Sequence, residues 1–320
     1  MSGAFRWHGG RLEEARKLYG EGDGPWIDLS TGINPVAWPG AEGIPLDWRA
    51  LPDPAALADL EAAAAAYFGV EPACVCTVPG SEIGLRIVGR MLDRPGRHLT
   101  PSYRTHGEVF AQNIAVRAPE EAPAGTALLL ANPNNPDGRL FPRERLLARE
   151  EWLVVDEAFA DCVPGSSIAS HVGEGRRLVV LRSFGKFFGL AGVRLGFVIG
   201  PPDIVAGCRR LLGDWPVSAA AIAFGRAAYR DGAWIAGTVE ALTDKARELD
   251  ILLARHGLTA RGECPLFRLV ETEDAASLFD RLARRAILTR PFDQEPRWLR
   301  FGLPAGEAEM ARLDAALAHG

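Results

Sequence analysis

Between residues 74 and 199 the chain alternates short, continuous apolar runs with longer segments of mixed polarity. Residues 74–78, 98–101, 127–131, 152–155, 178–181 and 197–199 read as strands. Residues 82–92, 103–113 and 142–149 read as helices. Strands that are apolar throughout are covered on both faces, and their alternation with helices implies a mostly parallel sheet. Ahead of this region, Asp53, Pro54 and Gly69 supply the cap, first turn and stop of a helix over 54–68. Residues 1–50 are rich in Gly, Pro and Trp and show one short helical pattern at 12–19. Beyond Pro201 helices dominate, at 204–212, 218–231 and 234–256. The chain closes in an α+β pattern, with strands at 266–270 and 298–302 and helices at 275–285 and 307–317. The fold class is therefore α/β, with a large domain built on a mostly parallel sheet and a smaller C-terminal α+β domain.

Composition narrows the function classes. The 320 residues are 48% hydrophobic and 24% charged, with a net charge of −5 and no long basic run. That is a globular chain with no nucleic-acid signature. No stretch approaches the roughly 18 apolar residues of a membrane helix, and the N-terminus lacks a charged-then-apolar export pattern. The five cysteines are odd in number and the chain is long, which argues against a disulfide framework. These features point to the cytoplasm. The six histidines are scattered, with no pair at ligand spacing, so no metal site is expected. Gly189, Gly192 and Gly196 do not have the spacing of a nicotinamide-binding turn.

The candidate chemistry lies at the ends of the expected strands, where ligands sit on open α/β sheets. Val78-Pro79-Gly80-Ser81-Glu82 closes one strand and opens a helix. Asn132-Pro133-Asn134-Asn135-Pro136-Asp137-Gly138 follows another, and Asp156-Glu157-Ala158-Phe159 a third. Ser183-Phe184-Gly185-Lys186 follows a fourth and leads into Gly192-Val193-Arg194. A lysine among small and apolar residues is either paired or used as a neutral amine, and neutral lysine amines form Schiff bases with carbonyl groups. Taken singly, the asparagine segment reads equally as a tight turn and Asp156 as a helix cap.

In this order the motifs resemble the pyridoxal-phosphate (PLP) enzymes of the aspartate-aminotransferase fold, over nearly the whole chain. They are similar to the branch holding histidinol-phosphate aminotransferase and the threonine-phosphate decarboxylases of cobalamin biosynthesis. His8-Gly9-Gly10, the segment from Asp28 through Thr31 and Asn34 to Pro35, and Leu51-Pro52-Asp53-Pro54 favour the decarboxylase side. The resemblance implies an N-terminal arm with part of the small domain at 1–50, a large PLP-binding domain at 51–205, and interdomain helices with the small domain at 206–320.

It also implies roles. Lys186 carries the cofactor and later shuttles a proton, Asp156 faces the pyridine nitrogen, and Asn135 contacts the ring hydroxyl. Phe159 stands where many relatives have a tyrosine on that hydroxyl, and Leu51 where many have one for the phosphate. Gly80, Ser81, Glu82, Ser183 and Arg194 cradle the cofactor phosphate, and His106 takes the position that stacks on the ring. Arg300 and Asn34 bind the substrate carboxylate. Arg290 is the candidate for a substrate phosphate, with His8 and Thr31 near that end. The activity implied is decarboxylation of L-threonine O-3-phosphate to (R)-1-amino-2-propanol O-2-phosphate, in a homodimer. An aminotransferase of the histidinol-phosphate type is the alternative, since both reactions use the same residues in different substrate poses. A non-catalytic partner in corrinoid assembly is the alternative of another class.

Overall fold

The computed structural model describes residue 5, residues 8–22 and residues 24–318. They form two compact units, one of residues 37–135 and 139–239, the other of the remaining N-terminal residues to 36, 136–138 and 240 onward.

Along the chain, helix α1 (Leu12–Tyr19) and strand β1 (Ile27–Asp28) come first. Helix α2 (Pro54–Phe68) follows, capped by Asp53, whose carboxylate accepts from the amides of Ala55 and Ala56, and stopped by Gly69 in the left-handed region. The sheet region holds β2 (Val75–Val78), α3 (Ser81–Leu92), β3 (Gly96–Leu99), β4 (Asn113–Val116), β5 (Ala127–Ala131), α4 (Arg143–Leu147), β6 (Leu153–Asp156), β7 (Leu178–Ser183), the single turn α5 (Phe184–Phe187) and β8 (Gly196–Ile199). Helices α6 (Pro202–Leu212), α7 (Ala219–Ala228) and α8 (Gly232–Arg255) come next. The remaining elements are β9 (Ala260–Arg261), β10 (Phe267–Glu271), α9 (Ala275–Arg284), β11 (Ile287–Leu288), β12 (Arg290–Pro291), β13 (Trp298–Gly302) and α10 (Glu307–Ala318).

Among the described residues of the larger unit, seven strands form one sheet in the order β2-β8-β7-β6-β5-β3-β4. The pairs from β7 to β4 are parallel; β8 runs antiparallel to both neighbours. The central strands β5, β6 and β7 are buried almost throughout, as their unbroken apolar runs require. One face packs Val78, Leu129, Val154, Leu181 and Val198 against Leu85 of α3 and Ile204 of α6.

The expected helix over 103–113 does not form. Residues Arg104–Glu108 make a short 3-10 turn, and 113–116 become the edge strand β4, parallel to β3. The amide of Gly96 donates to the carbonyl of Gln112 at 2.7 Å, and Nδ2 of Asn113 donates to the carbonyl of His106 at 2.6 Å. Tertiary pairing thus satisfies the backbone that a helix would have satisfied locally.

In the smaller unit, β12-β13-β10-β9 form an antiparallel sheet, and β1 pairs with β11 in parallel. The N-terminal segment is built into this unit by that pairing and by the Gly302 amide, which donates to the Leu29 carbonyl at 2.7 Å.

Candidate active site

In the larger unit the expected residues gather at strand ends. Pro79-Gly80 turns β2 into α3, with Gly80 at φ 88°. A β-carbon on Gly80 would lie 2.6 Å from Nη2 of Arg194, so glycine is what allows the guanidinium to come over the helix N-terminus. The Ile83 amide donates to the Gly80 carbonyl at 3.2 Å, while the amides of Ser81 and Glu82 at the start of α3 precede any intrahelical acceptor and, with the helix dipole, favour an anion. Arg194 sits in the left-handed region at φ 56°, which costs about 1–2 kcal/mol for a residue with a side chain. Its Nη1 donates to the Ala191 carbonyl at 3.2 Å. Gly185 brings that loop in, since a β-carbon there would lie 2.5 Å from Cα of Ala191.

The Glu82 carboxylate does not join this cradle. It accepts hydrogen bonds from Nη2 of Arg86 at 3.2 Å and from the hydroxyls of Tyr103 at 3.1 Å and Thr105 at 3.4 Å. Burial raises its pKa, but these donors outweigh burial and hold it below the usual range.

Asp156 ends β6, buried. Its Oδ1 accepts from the Ala158 amide at 3.1 Å, and its Oδ2 lies 3.1 Å from Nε2 of His106. Against a carboxylate, Nε2 is the donating nitrogen; Nδ1 is buried and has no hydrogen-bond partner among the described residues. The His106 ring is fully enclosed, so it offers no open face and instead supports Asp156. Half-buried Tyr103, edge-on to His106 with centroids 5.8 Å apart, is an aromatic that sequence reasoning did not select. The spacing Tyr103-x-x-His106 was the available signal.

Lys186 is half-buried on α5, directly after β7. Strand β7 lies beside β6 with Leu181 opposite Asp156, so the lysine segment and the aspartate leave neighbouring strand ends. Ser183 caps the turn by position without a side-chain hydrogen bond to it. Asn134 is buried and its Nδ2 donates to the Pro101 carbonyl at 3.1 Å, a structural contact; Asn135 beside it is half-buried. Phe159 is buried.

In the smaller unit, Arg290 and Arg300 are directly opposed across β12 and β13, hence on one face of the sheet. Burial, and next the charge of Arg290, push the pKa of Arg300 down to about 9. Arg300 remains a cation at neutral pH, and two like charges on one face favour an incoming anion. Nη2 of Arg300 donates to the Ser30 carbonyl at 3.0 Å, and its guanidinium lies over Phe267 at 4.8 Å. Thr31 follows Ser30, and Oγ of Ser30 accepts from the Gly10 amide at 2.8 Å, bringing the segment after His8 beside it. His8 is exposed. Asn34 is buried, and its Oδ1 accepts from the Val36 amide at 2.9 Å.

Each unit thus brings its own set together: a lysine, an aspartate and an anion cradle in one, paired arginines in the other. The family model for aminotransferase class I and II matches residues 111–317. Threonine-phosphate decarboxylase of Pseudomonas aeruginosa is 43% identical, over 97% of this chain and 96% of that protein. The protein of the same name from Sinorhizobium sp. is 39% identical, over 97% of each. The solved structure of histidinol-phosphate aminotransferase from Sinorhizobium meliloti, in complex with pyridoxal-5'-phosphate, overlays with a TM-score of 0.82 at 22% identity, covering 96% of this chain and 93% of that one. The chain belongs to the aminotransferase class I and II family, with threonine-phosphate decarboxylases among its relatives.

Proposed function

We propose that this protein is a PLP-dependent decarboxylase of L-threonine O-3-phosphate. The observation that carries the cofactor assignment is the larger unit's strand-end set: Asp156 backed by His106, Lys186 on the adjoining strand end, and Arg194 over the glycine that opens α3. Relatives at 43% and 39% identity named threonine-phosphate decarboxylase support the substrate and the reaction.

The residues fit the group. The Gly80-Ser81 turn, Ser183 and Arg194 would hold the cofactor phosphate, Asp156 would face the ring nitrogen, Asn135 the ring hydroxyl, and Lys186 the aldehyde carbon. When bound, PLP supplies the electron sink that takes up the pair released at the substrate Cα. The Asp156 carboxylate would face a protonated ring nitrogen, and the contact with Nε2 of His106 orients that carboxylate. Lys186 delivers a proton to Cα after CO2 has left. Arg300 and Asn34 bind the substrate carboxylate; Arg290, with His8 and Thr31, takes the substrate phosphate. We further propose a cytoplasmic homodimer. Trp48 and Leu51, large apolar residues at 75% and 68% exposure just ahead of α2, fit a surface covered by a second copy.

The test is CO2 release from L-threonine O-3-phosphate by protein and PLP, without any keto acid. Release that is lost in Lys186→Ala is the expected result. Amino transfer that depends on added 2-oxoglutarate, with no CO2, would overturn the assignment in favour of an aminotransferase.

A further inference from the structure

A buried ion cluster next to the site has no part in the chemistry just described. Glu157, Asp161 and Arg182 are 0%, 1% and 3% exposed. Nη1 of Arg182 donates to Oε2 of Glu157 at 3.0 Å and to Oγ of Ser167 at 3.1 Å, and Nη2 pairs with Oδ1 of Asp161. The Ser167 hydroxyl donates to Oε2 of Glu157 at 2.6 Å, and the Ile168 amide to Oε1 at 2.7 Å. The guanidinium lies over the Phe68 ring at 4.8 Å. Three charges taken out of water are a weak source of stability, because desolvation offsets most of their attraction. Their value lies in what they hold in place.

The cluster holds the strand ends that carry the site. Glu157 directly follows Asp156, and its amide donates to the Leu181 carbonyl at 2.9 Å. Arg182 follows Leu181, directly precedes Ser183 and stands four residues before Lys186. Successive residues of a strand point to opposite faces. Asp156 and Ser183 therefore share one face, and Glu157 and Arg182 share the other. The bond from Arg182 to Glu157 ties the end of β6 to β7 from behind, and the bonds to Ser167, Ile168 and Asp161 hold those two side chains in place. The register of the two strands in turn sets Asp156 relative to Lys186. Displacements well under 1 Å are costly at such sites.

We propose that Arg182 and Glu157 are positioning residues for the cofactor site, holding Asp156 and the Lys186 turn in register. This rests on the PLP assignment above. Three variants test it: Arg182→Met, Glu157→Gln, and Ser167→Ala as a mild change that removes one hydroxyl and keeps all charges. A core truncation in α6, Val205→Ala, is the control for loss of stability alone.

For each, the PLP dissociation constant, the half-time of cofactor release to a trap, and kcat and KM are measured alongside Tm. Arg182→Met and Glu157→Gln are expected to weaken PLP binding about tenfold or more, roughly 1.4 kcal/mol, and to lower kcat with KM nearly unchanged. Ser167→Ala is expected to follow in the same direction by about threefold, and Val205→Ala to lose Tm with PLP affinity intact. Wild-type PLP affinity in the variants, or losses no larger than the control shows at equal Tm, would overturn the proposal. If the charged-residue variants do not fold, Ser167→Ala decides. Wild-type protein that fails to bind PLP through Lys186 would instead overturn the underlying assignment, so the two failures are distinguishable.

Discussion

At the scale of single residues, the paired arginines give the sharpest discrimination. Arg290 and Arg300 are opposed across two strands, yet the proposed function gives them different anions. Hydrogen bonds to charged groups are worth about 1.5–3 kcal/mol, roughly 10- to 150-fold in binding. Arg290→Gln is expected to raise KM for L-threonine O-3-phosphate by about tenfold or more and to leave kcat/KM for plain L-threonine nearly unchanged. Arg300→Gln is expected to penalise both, since both carry the carboxylate. Steady-state kinetics on the two substrates checks this; equal losses from Arg290→Gln would assign it to the carboxylate instead. The placement of Lys186, Asp156 and Arg194 beside strand ends was legible in the sequence because each lies in a short motif whose neighbours are local. The support of Asp156 by His106, the part played by Tyr103, and the Arg182 cluster were not. They depend on contacts 50, 21 and 25 residues apart, which no local pattern encodes.

At the scale of elements, local signals settled what local forces settle. The Asp53 cap, Pro54 and Gly69 bound α2 at both ends as the sequence reading has it, and β5 and β13 also run over the residues their apolar pattern marks. The two-residue strands β1, β9, β11 and β12 went unseen because their existence is a pairing with another strand and not a local pattern, as where Ile27 meets Ile287. The expected helix at 103–113 failed for a related reason, as its backbone found partners on β3. Asp53→Ala removes a cap whose Oδ1 accepts from Ala55 at 2.6 Å and Ala56 at 3.2 Å. The expected cost is about 1 kcal/mol, measured as a drop in urea midpoint with unchanged slope. An unchanged midpoint would mean that the packing of α2 on α7, not the cap, sets this end of the helix.

At the scale of the whole molecule, burial of weak acids makes stability depend on alkaline pH. Desolvation pushes the thiols of Cys76 and Cys264 up to about 12 and that of Cys208 up to about 11, from an ordinary 9.0. It also raises Tyr19 to about 12, and Tyr67 and Tyr229 in the same direction. In the unfolded chain these groups ionise near their ordinary values, while in the folded chain they keep their protons. Above pH 9 these groups hold fewer protons in the unfolded state than in the native one. Arg300, pushed down to about 9, works the other way but is outnumbered by the thiols and tyrosines, so the free energy of unfolding still falls as pH rises. The contribution is fully present below pH 9 and is lost progressively toward about 11–12 as the folded thiols themselves titrate. Each buried thiol contributes at most about 1.4 kcal/mol per pH unit within that window. The urea midpoint is expected to be flat from pH 7 to 8.5 and to fall between pH 9 and 10.5, about. Cys208→Ala should make that fall shallower, because one of the titrating groups is gone. A thiol reagent at about pH 8 should also leave the native thiols almost unlabelled, since the thiolate is the reacting form. All five cysteines are buried, so they should react once the chain is unfolded in urea. A midpoint independent of pH up to about 10.5, with rapid labelling of the native protein, would show that these side chains reach water in the folded state.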